Sequence, residues 1–182
     1  MRVILASKSP RRQELLKEIF PSFDIFPQDV DENIKEEDPK KLVEKLALKK
    51  LNGLDGKYPD ALIISADTIV WLNGKVYGKP HTYENAIKTL NALSGTTHFV
   101  YTGVCLAYKG KRDIFNVESQ IHFRDLKQSE IENYVYTKKP LDKAGAYGIQ
   151  DGDMVQSYTG SYSNVLGFPI EKVKEELKKL GV

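Results

Sequence analysis

Residues 61–72 read ALIISADTIVWL, and apart from Ser65, Asp67 and Thr68 every side chain in that stretch is apolar. A run of this kind marks a β-strand covered on both faces rather than a half-wet one. Asn73-Gly74 follows, a pair that accepts the two positive-φ positions of a type I′ turn, so KVYGKP (75–80) is expected to fold back as a hairpin partner. A buried strand with an antiparallel neighbour, in a chain that otherwise alternates strands with helices, predicts an α/β fold on a mixed central sheet with flanking helices.

Working outward, RVILA (2–6) reads as a short buried strand leading through Ser9, a candidate N-cap, and Pro10 into a helix whose apolar side carries Leu15, Leu16, Ile19 and Phe20. FDIF (23–26) reads as a second strand and 28–38 as a polar loop. Asp38 and Pro39 then open a helix that runs to Gly53 with Leu42, Val43, Leu46 and Leu51 inward and its lysines mostly on a solvated face. Beyond the hairpin, Thr82 caps a helix stopped by Gly95. Residues 97–108 and 112–124 read as strands joined by a tight turn, and Ser129 with Glu132 as the capping box of a helix ending before Pro140. The stretch 142–168 looks loop-like, and PIEKVKEELKKLG (169–181) is a last amphipathic helix. No linker separates domains, so 1–182 is expected to form a single domain, large enough to divide into lobes.

Charge excludes some function classes. With 27 basic and 25 acidic side chains, no field draws the chain to nucleic acid or to a membrane surface, and any anion must be held by a local cluster. A lone cysteine, Cys105, in the apolar stretch TGVCLAY, reads as core in a reducing cytoplasm. The three histidines lack zinc-site spacing, and no Walker loop, GxGxxG or HExxH occurs.

Within LASKSPRRQELL (5–16), Arg11 and Arg12 fall in the first turn of a helix, where free amides are already electropositive. Two readings fit: Ser9 merely caps the helix with the arginines in water, or Ser7, Lys8, Ser9, Arg11 and Arg12 await phosphate oxygens. Asp67 weighs more, because an unpaired carboxylate in a buried strand costs roughly several kcal/mol unless a cation, metal or donors meet it. Glu32 sits in the acidic loop. Lys79 and Lys143, taken alone, read as surface lysines, and Gly145 and Gly148 beside Tyr147 suit either a turn or close approach to a ligand.

LASKSPRRQELL, SADTIV with the following GKP, YTGV, KAGAYGIQ and GSYSNVLGFP stand in the order and spacing of one family. Over essentially its whole length the chain resembles the Maf nucleoside triphosphate pyrophosphatases, in the branch acting on dTTP and UTP; Phe168 departs from the usual leucine. The resemblance implies a fold similar to the inosine triphosphate pyrophosphatases, two lobes around a cleft, and a homodimer. It implies Asp67 as proton acceptor, Arg11, Thr68 and Gln150 as specificity positions, and Ser7, Arg12, Glu32, Lys79 and Lys143 as other cleft positions. With it comes a scheme in which Ser7, Arg11, Arg12, Lys79 and Lys143 bind phosphate. Asp67 and Glu32 hold a divalent cation, Mg²⁺ or Mn²⁺, and a nucleoside triphosphate is cleaved to the monophosphate and pyrophosphate, clearing non-standard nucleotides. Two alternatives are a noncatalytic nucleotide sensor in division control and an interaction protein using the basic helix 39–52.

Overall fold

Strand β3 (Leu62–Leu72) lies inside the sheet, flanked by β1 (Val3–Leu5) and β5 (Thr97–Tyr108), as its two-sided apolar content requires. The computed structural model describes every residue from Met1 to Val182. The remaining elements are α1 (Pro10–Lys17), β2 (Asp24–Ile25), α2 (Pro39–Asn52), β4 (Lys75–Tyr77), α3 (Tyr83–Leu93), β6 (Lys111–Phe123), α4 (Gln128–Lys138), β7 (Val155–Thr159), α5 (Tyr162–Val165) and α6 (Ile170–Leu180), with one 3-10 turn at Ala144–Ala146. The strand order is β2-β1-β3-β5-β6-β7, with β4 on β3. β1 is parallel to β2 and β3, whereas β3–β4 and β6–β7 are antiparallel, so the sheet is mixed. No helix is long and apolar enough to cross a membrane.

The chain divides into two compact units. One holds Met1–Thr68, Tyr101–Val117 and Ser161–Val182; the other holds Ile69–Val100 and Glu118–Gly160. In the first, alternation along β3 sends Leu62, Ile64 and Ala66 into a core with Leu16 of α1, Phe168, and Val173 and Leu177 of α6. Ile63 joins a second cluster with Ile4, Cys105 and, from α2, Ala47 and Leu51. α2 can press this close because β5 carries Gly103, where a Cβ would stand 2.2 Å from the Val43 carbonyl oxygen. Cys105 is core, as expected, and burial pushes its thiol up to about 12. In the second unit α3 packs on α4 and on the 3-10 turn, and His98, Phe123 and Tyr147 meet edge to face.

Several local expectations hold in detail. Asn73 and Gly74 adopt φ of +50° and +78°, Asp38 Oδ1 accepts the Lys40 N–H at 2.9 Å, and Thr82 Oγ1 accepts the Asn85 N–H at 3.2 Å. Three are corrected. Ser9 occupies the N-cap position of α1, yet its hydroxyl makes no capping bond; its N–H instead donates to Ser7 Oγ at 3.2 Å. α4 starts at Gln128 rather than after Ser129, and Glu130, not Glu132, reaches back to the Lys127 N–H at 2.9 Å, because the acid three positions beyond the cap is the one within range. The stretch read as loop contains β7 and α5; β7 takes its ladder partners from β6, where Ile121 faces Tyr158, 37 positions later in the chain.

Candidate active site

Asp67 and Thr68 are consecutive on β3, so their side chains leave the strand on opposite faces. Asp67 turns to the α2 side, where Ser65, two positions back, donates to the Ala47 carbonyl at 2.7 Å and ties strand to helix. That seam delivers Lys50, whose Nζ donates to Asp67 Oδ1; each of the two side chains is only 11% exposed. The same ammonium meets Glu32 Oε1 at 2.9 Å, on a side chain 56% exposed. Lys50 therefore links the two predicted metal carboxylates and supplies the counter-charge that a buried Asp67 requires. The sequence places the lysines of this helix mostly on a solvated face, and Lys50 is the exception. Its spacing from Val43, Leu46 and Ala47 puts it on the apolar stripe, and that was the available signal.

Thr68 turns to the α1 side and meets Arg12. The guanidinium donates from Nε to the Gly167 carbonyl and from Nη1 to the Ala66 carbonyl, both at 2.8 Å, from Nη1 to Ser7 Oγ at 3.3 Å, and from Nη2 to Thr68 Oγ1 at 3.0 Å. Those bonds use four of its five N–H groups, leaving one for a ligand. Thr68 Oγ1 also pairs with Thr102 Oγ1 at 2.9 Å. Burial lowers the Arg12 pKa; Asp67 and Glu32 act against that shift and the neighbouring charge of Arg11 adds to it. Arg12 thus feels both carboxylates electrostatically without bonding either. Arg11 is half-buried one residue earlier, in a first turn that no side chain caps. Ser7, Arg11, Arg12, Glu32, Asp67 and Thr68 are brought together in one unit, with opposite charges converging, which is what a polyphosphate and a water to be activated require.

Lys79, Lys143 and Gln150 belong to the other unit. Lys79 and Gln150 are exposed. Lys143 is not a free surface cation, since its Nζ donates to Asp151 Oδ2 at 2.5 Å. The Gly145 N–H donates to the Gly78 carbonyl at 3.1 Å, binding the KAGAYGIQ segment to the residue before Lys79. The glycines there serve packing: a Cβ on Gly145 would sit 2.6 Å from Val70 Cγ2, and one on Gly148 would sit 2.6 Å from Asp151 Oδ2. Tyr134 and Asp151, which no motif flagged, bond each other at 3.0 Å.

No group of three or more His, Cys, Asp or Glu side chains is arranged to hold a metal. The two carboxylates that already converge on one ammonium are hard oxygen donors of the kind Mg²⁺ takes one or two of, the rest being water and phosphate oxygens. Asp67 and Glu32 fit such an ion.

A family profile described as "Maf-like protein" matches residues 2–180. The chain belongs to the Maf family. Among curated relatives it is 43% identical to a protein of Thermosipho africanus, covering all of this chain and 95% of that one, and 43% identical to a protein of Carboxydothermus hydrogenoformans, covering all of both. A Bacillus cereus relative is 40% identical, over all of this chain and 96% of its own length. Each of these three relatives is named a dTTP/UTP pyrophosphatase. Among solved structures, the Ham1 protein of Staphylococcus aureus shares the fold, with a TM-score of 0.53 at 19% identity over 70% of this chain and 74% of that one.

Proposed function

We propose that this Maf protein hydrolyses dTTP and UTP between the α and β phosphates, releasing the nucleoside monophosphate and pyrophosphate. The observation that carries the reading is the buried Asp67, held against Lys50 and within the field of Arg12, in a chain full-length similar to proteins that bear the name of this activity.

Such a reaction makes little demand for covalent chemistry; it needs a water in line with the α phosphorus and positive charge around the phosphate oxygens. Arg11, the uncapped amides of α1 and the remaining N–H of Arg12 take the phosphate chain, aided by Ser7, Lys79 and Lys143. Asp67 accepts the proton of the attacking water as the bond to the bridging oxygen breaks and the pyrophosphate departs with its electrons. Lys50 holds that carboxylate in place and offsets its charge. Asp67 and Glu32 are the residues that would hold Mg²⁺ or Mn²⁺, whose contribution when bound is to neutralise phosphate charge and acidify water. Gln150, which can donate and accept, reads the pyrimidine edge, with Thr68 and Arg11 as the other specificity positions. A homodimer working in the cytoplasm is part of the same proposal.

Purified protein incubated with dTTP, UTP and a panel of other triphosphates, with and without EDTA, tests this directly. Pyrophosphate release from dTTP and UTP that EDTA suppresses is the expected result; absence of pyrophosphate, or release of orthophosphate instead, overturns it.

A further inference from the structure

Gln150 stands in a tight turn from Gly148 to Asp151, closed by the Asp151 N–H donating to the Gly148 carbonyl at 3.0 Å. Both ends of that turn reach one hydroxyl. Tyr134 Oη accepts the Gly148 N–H at 3.0 Å and donates to Asp151 Oδ2 at 3.0 Å, and Lys143 Nζ donates to the same carboxylate oxygen. A phenol has one proton to give, so accepting at one end and donating at the other fixes the direction of both bonds. Tyr134 is itself anchored, being buried on α4 beside Ile131 and Val135. Burial works to raise the carboxyl of Asp151, but Lys143 and Tyr134 outweigh it and hold it below the ordinary range, so the acceptor stays ionised at neutral pH.

The turn has no slack on its inner side. A Cβ at Gly148 would meet Asp151 Oδ2 at 2.6 Å and Gln150 Nε2 at 3.0 Å, which places the Gln150 carboxamide directly over the tethered backbone. One residue before the turn, Tyr147 Oη is bonded to His98 Nε2 at 2.9 Å in the interior. The carboxamide thus lies against the turn, and the turn is tied at both ends to the hydroxyl of Tyr134.

We propose that Tyr134, acting through the Gly148–Asp151 turn, is the positioning residue that aims Gln150 and thereby sets the base preference. The inference rests on the reading of Gln150 as the residue that meets the pyrimidine edge. Tyr134 touches no substrate; it governs selection by preventing the turn from relaxing.

The test compares the parent, Tyr134→Phe, Gln150→Ala and the double variant, with kcat and KM measured for dTTP and for dCTP, which differs from dTTP at the base edge. Gln150→Ala is expected to erase the dTTP-over-dCTP ratio of kcat/KM. Tyr134→Phe is expected to lower that ratio about tenfold, mainly through the KM for dTTP, and to add nothing in the Gln150→Ala background. A purely structural role for the hydroxyl predicts instead a lower thermal midpoint with both nucleotides slowed alike and the ratio intact; that result overturns the proposal. A parental ratio in Tyr134→Phe while Gln150→Ala loses it overturns the positioning role alone. A parental ratio in Gln150→Ala, or a parent indifferent between the two nucleotides, overturns the base-reading role of Gln150 and the positioning role with it. Asp151→Ala removes the accepting carboxylate and leaves the phenol, so it reads the same ratio should Tyr134→Phe fail to fold; an unchanged ratio there also overturns the proposal.

Discussion

Around Asp67 the polar groups are charged and ride on regular elements: a strand carries the carboxylate, α2 carries Lys50 and α1 carries Arg12. Around Gln150 the group we propose as decisive is a neutral phenol, bonded to both ends of a turn that one backbone hydrogen bond closes. The contrast follows from what each cluster is proposed to do. Phosphate chemistry needs fixed charges in a low-dielectric setting, where their energies are large and a misplaced one is costly. Choosing between bases needs only a kcal/mol or two, about what one well-aimed amide supplies. Rigid elements suit the first task and a tethered turn suits the second.

The largest expected effect is on the charged side. Asp67→Asn removes the charge and keeps the shape, so pyrophosphate release from dTTP should fall by about a thousandfold or more, roughly 4 kcal/mol in the barrier. Retention of parental turnover would show that the carboxylate is scaffold and that the contrast between the clusters is false. Some stability goes as well, because Lys50 is left with the half-exposed Glu32 alone.

Lys50→Met sharpens the same point from the other partner. It leaves Asp67 buried beside a thioether, and breaking a buried pair from one side costs about 3 kcal/mol or more. Urea unfolding at pH 7 should show that loss together with a large fall in activity. A stability change within a few tenths of a kcal/mol would mean that water reaches Asp67 freely.

A smaller effect is expected behind the loop cluster. Burial, with a lesser contribution from the charge of His122, holds His98 at about 4 in the folded protein, against 6.5 for the free side chain. Between those values the unfolded chain binds a proton that the folded one does not, so stability falls as pH drops through that window, by about 2 kcal/mol from pH 7 to pH 5. Urea midpoints at the two pH values for the parent and for His98→Asn measure it: the parent should lose about that much more than the variant. Equal losses would show that the imidazole is accessible and that the wall behind Tyr147 is loose.

How much of this was legible in the sequence depends on the reach of each interaction. The hairpin at Asn73-Gly74, the cap at Asp38 and the buried character of β3 depend on neighbours within a few positions, and they were readable. Asp67 was readable as an anomaly, because charge in an apolar strand is visible without knowing its partner. The partner was not. Lys50 lies 17 residues away; its place on the apolar stripe of α2 turns it inward, but only the seam made by Gly103 and Ser65 shows that it meets Asp67.

Ser9 makes the same point in reverse: its sequence position is that of a cap, yet Ser7 and Arg12 organise the turn around a different hydroxyl. Tyr134 is the furthest case. Nothing in QSEIENYVYTK separates that tyrosine from any other, and the role proposed for it arises only because α4 packs beneath a turn that comes after the helix has ended. By itself the sequence determined the mixed sheet, the family and most of the elements, β7 and α5 excepted, since these follow from side-chain periodicity, turn residues and motif order. Tertiary structure alone decided which cation meets Asp67 and which hydroxyl ties the turn that carries Gln150, because a hydrogen bond forms within about 3 Å of space and takes no account of distance along the chain.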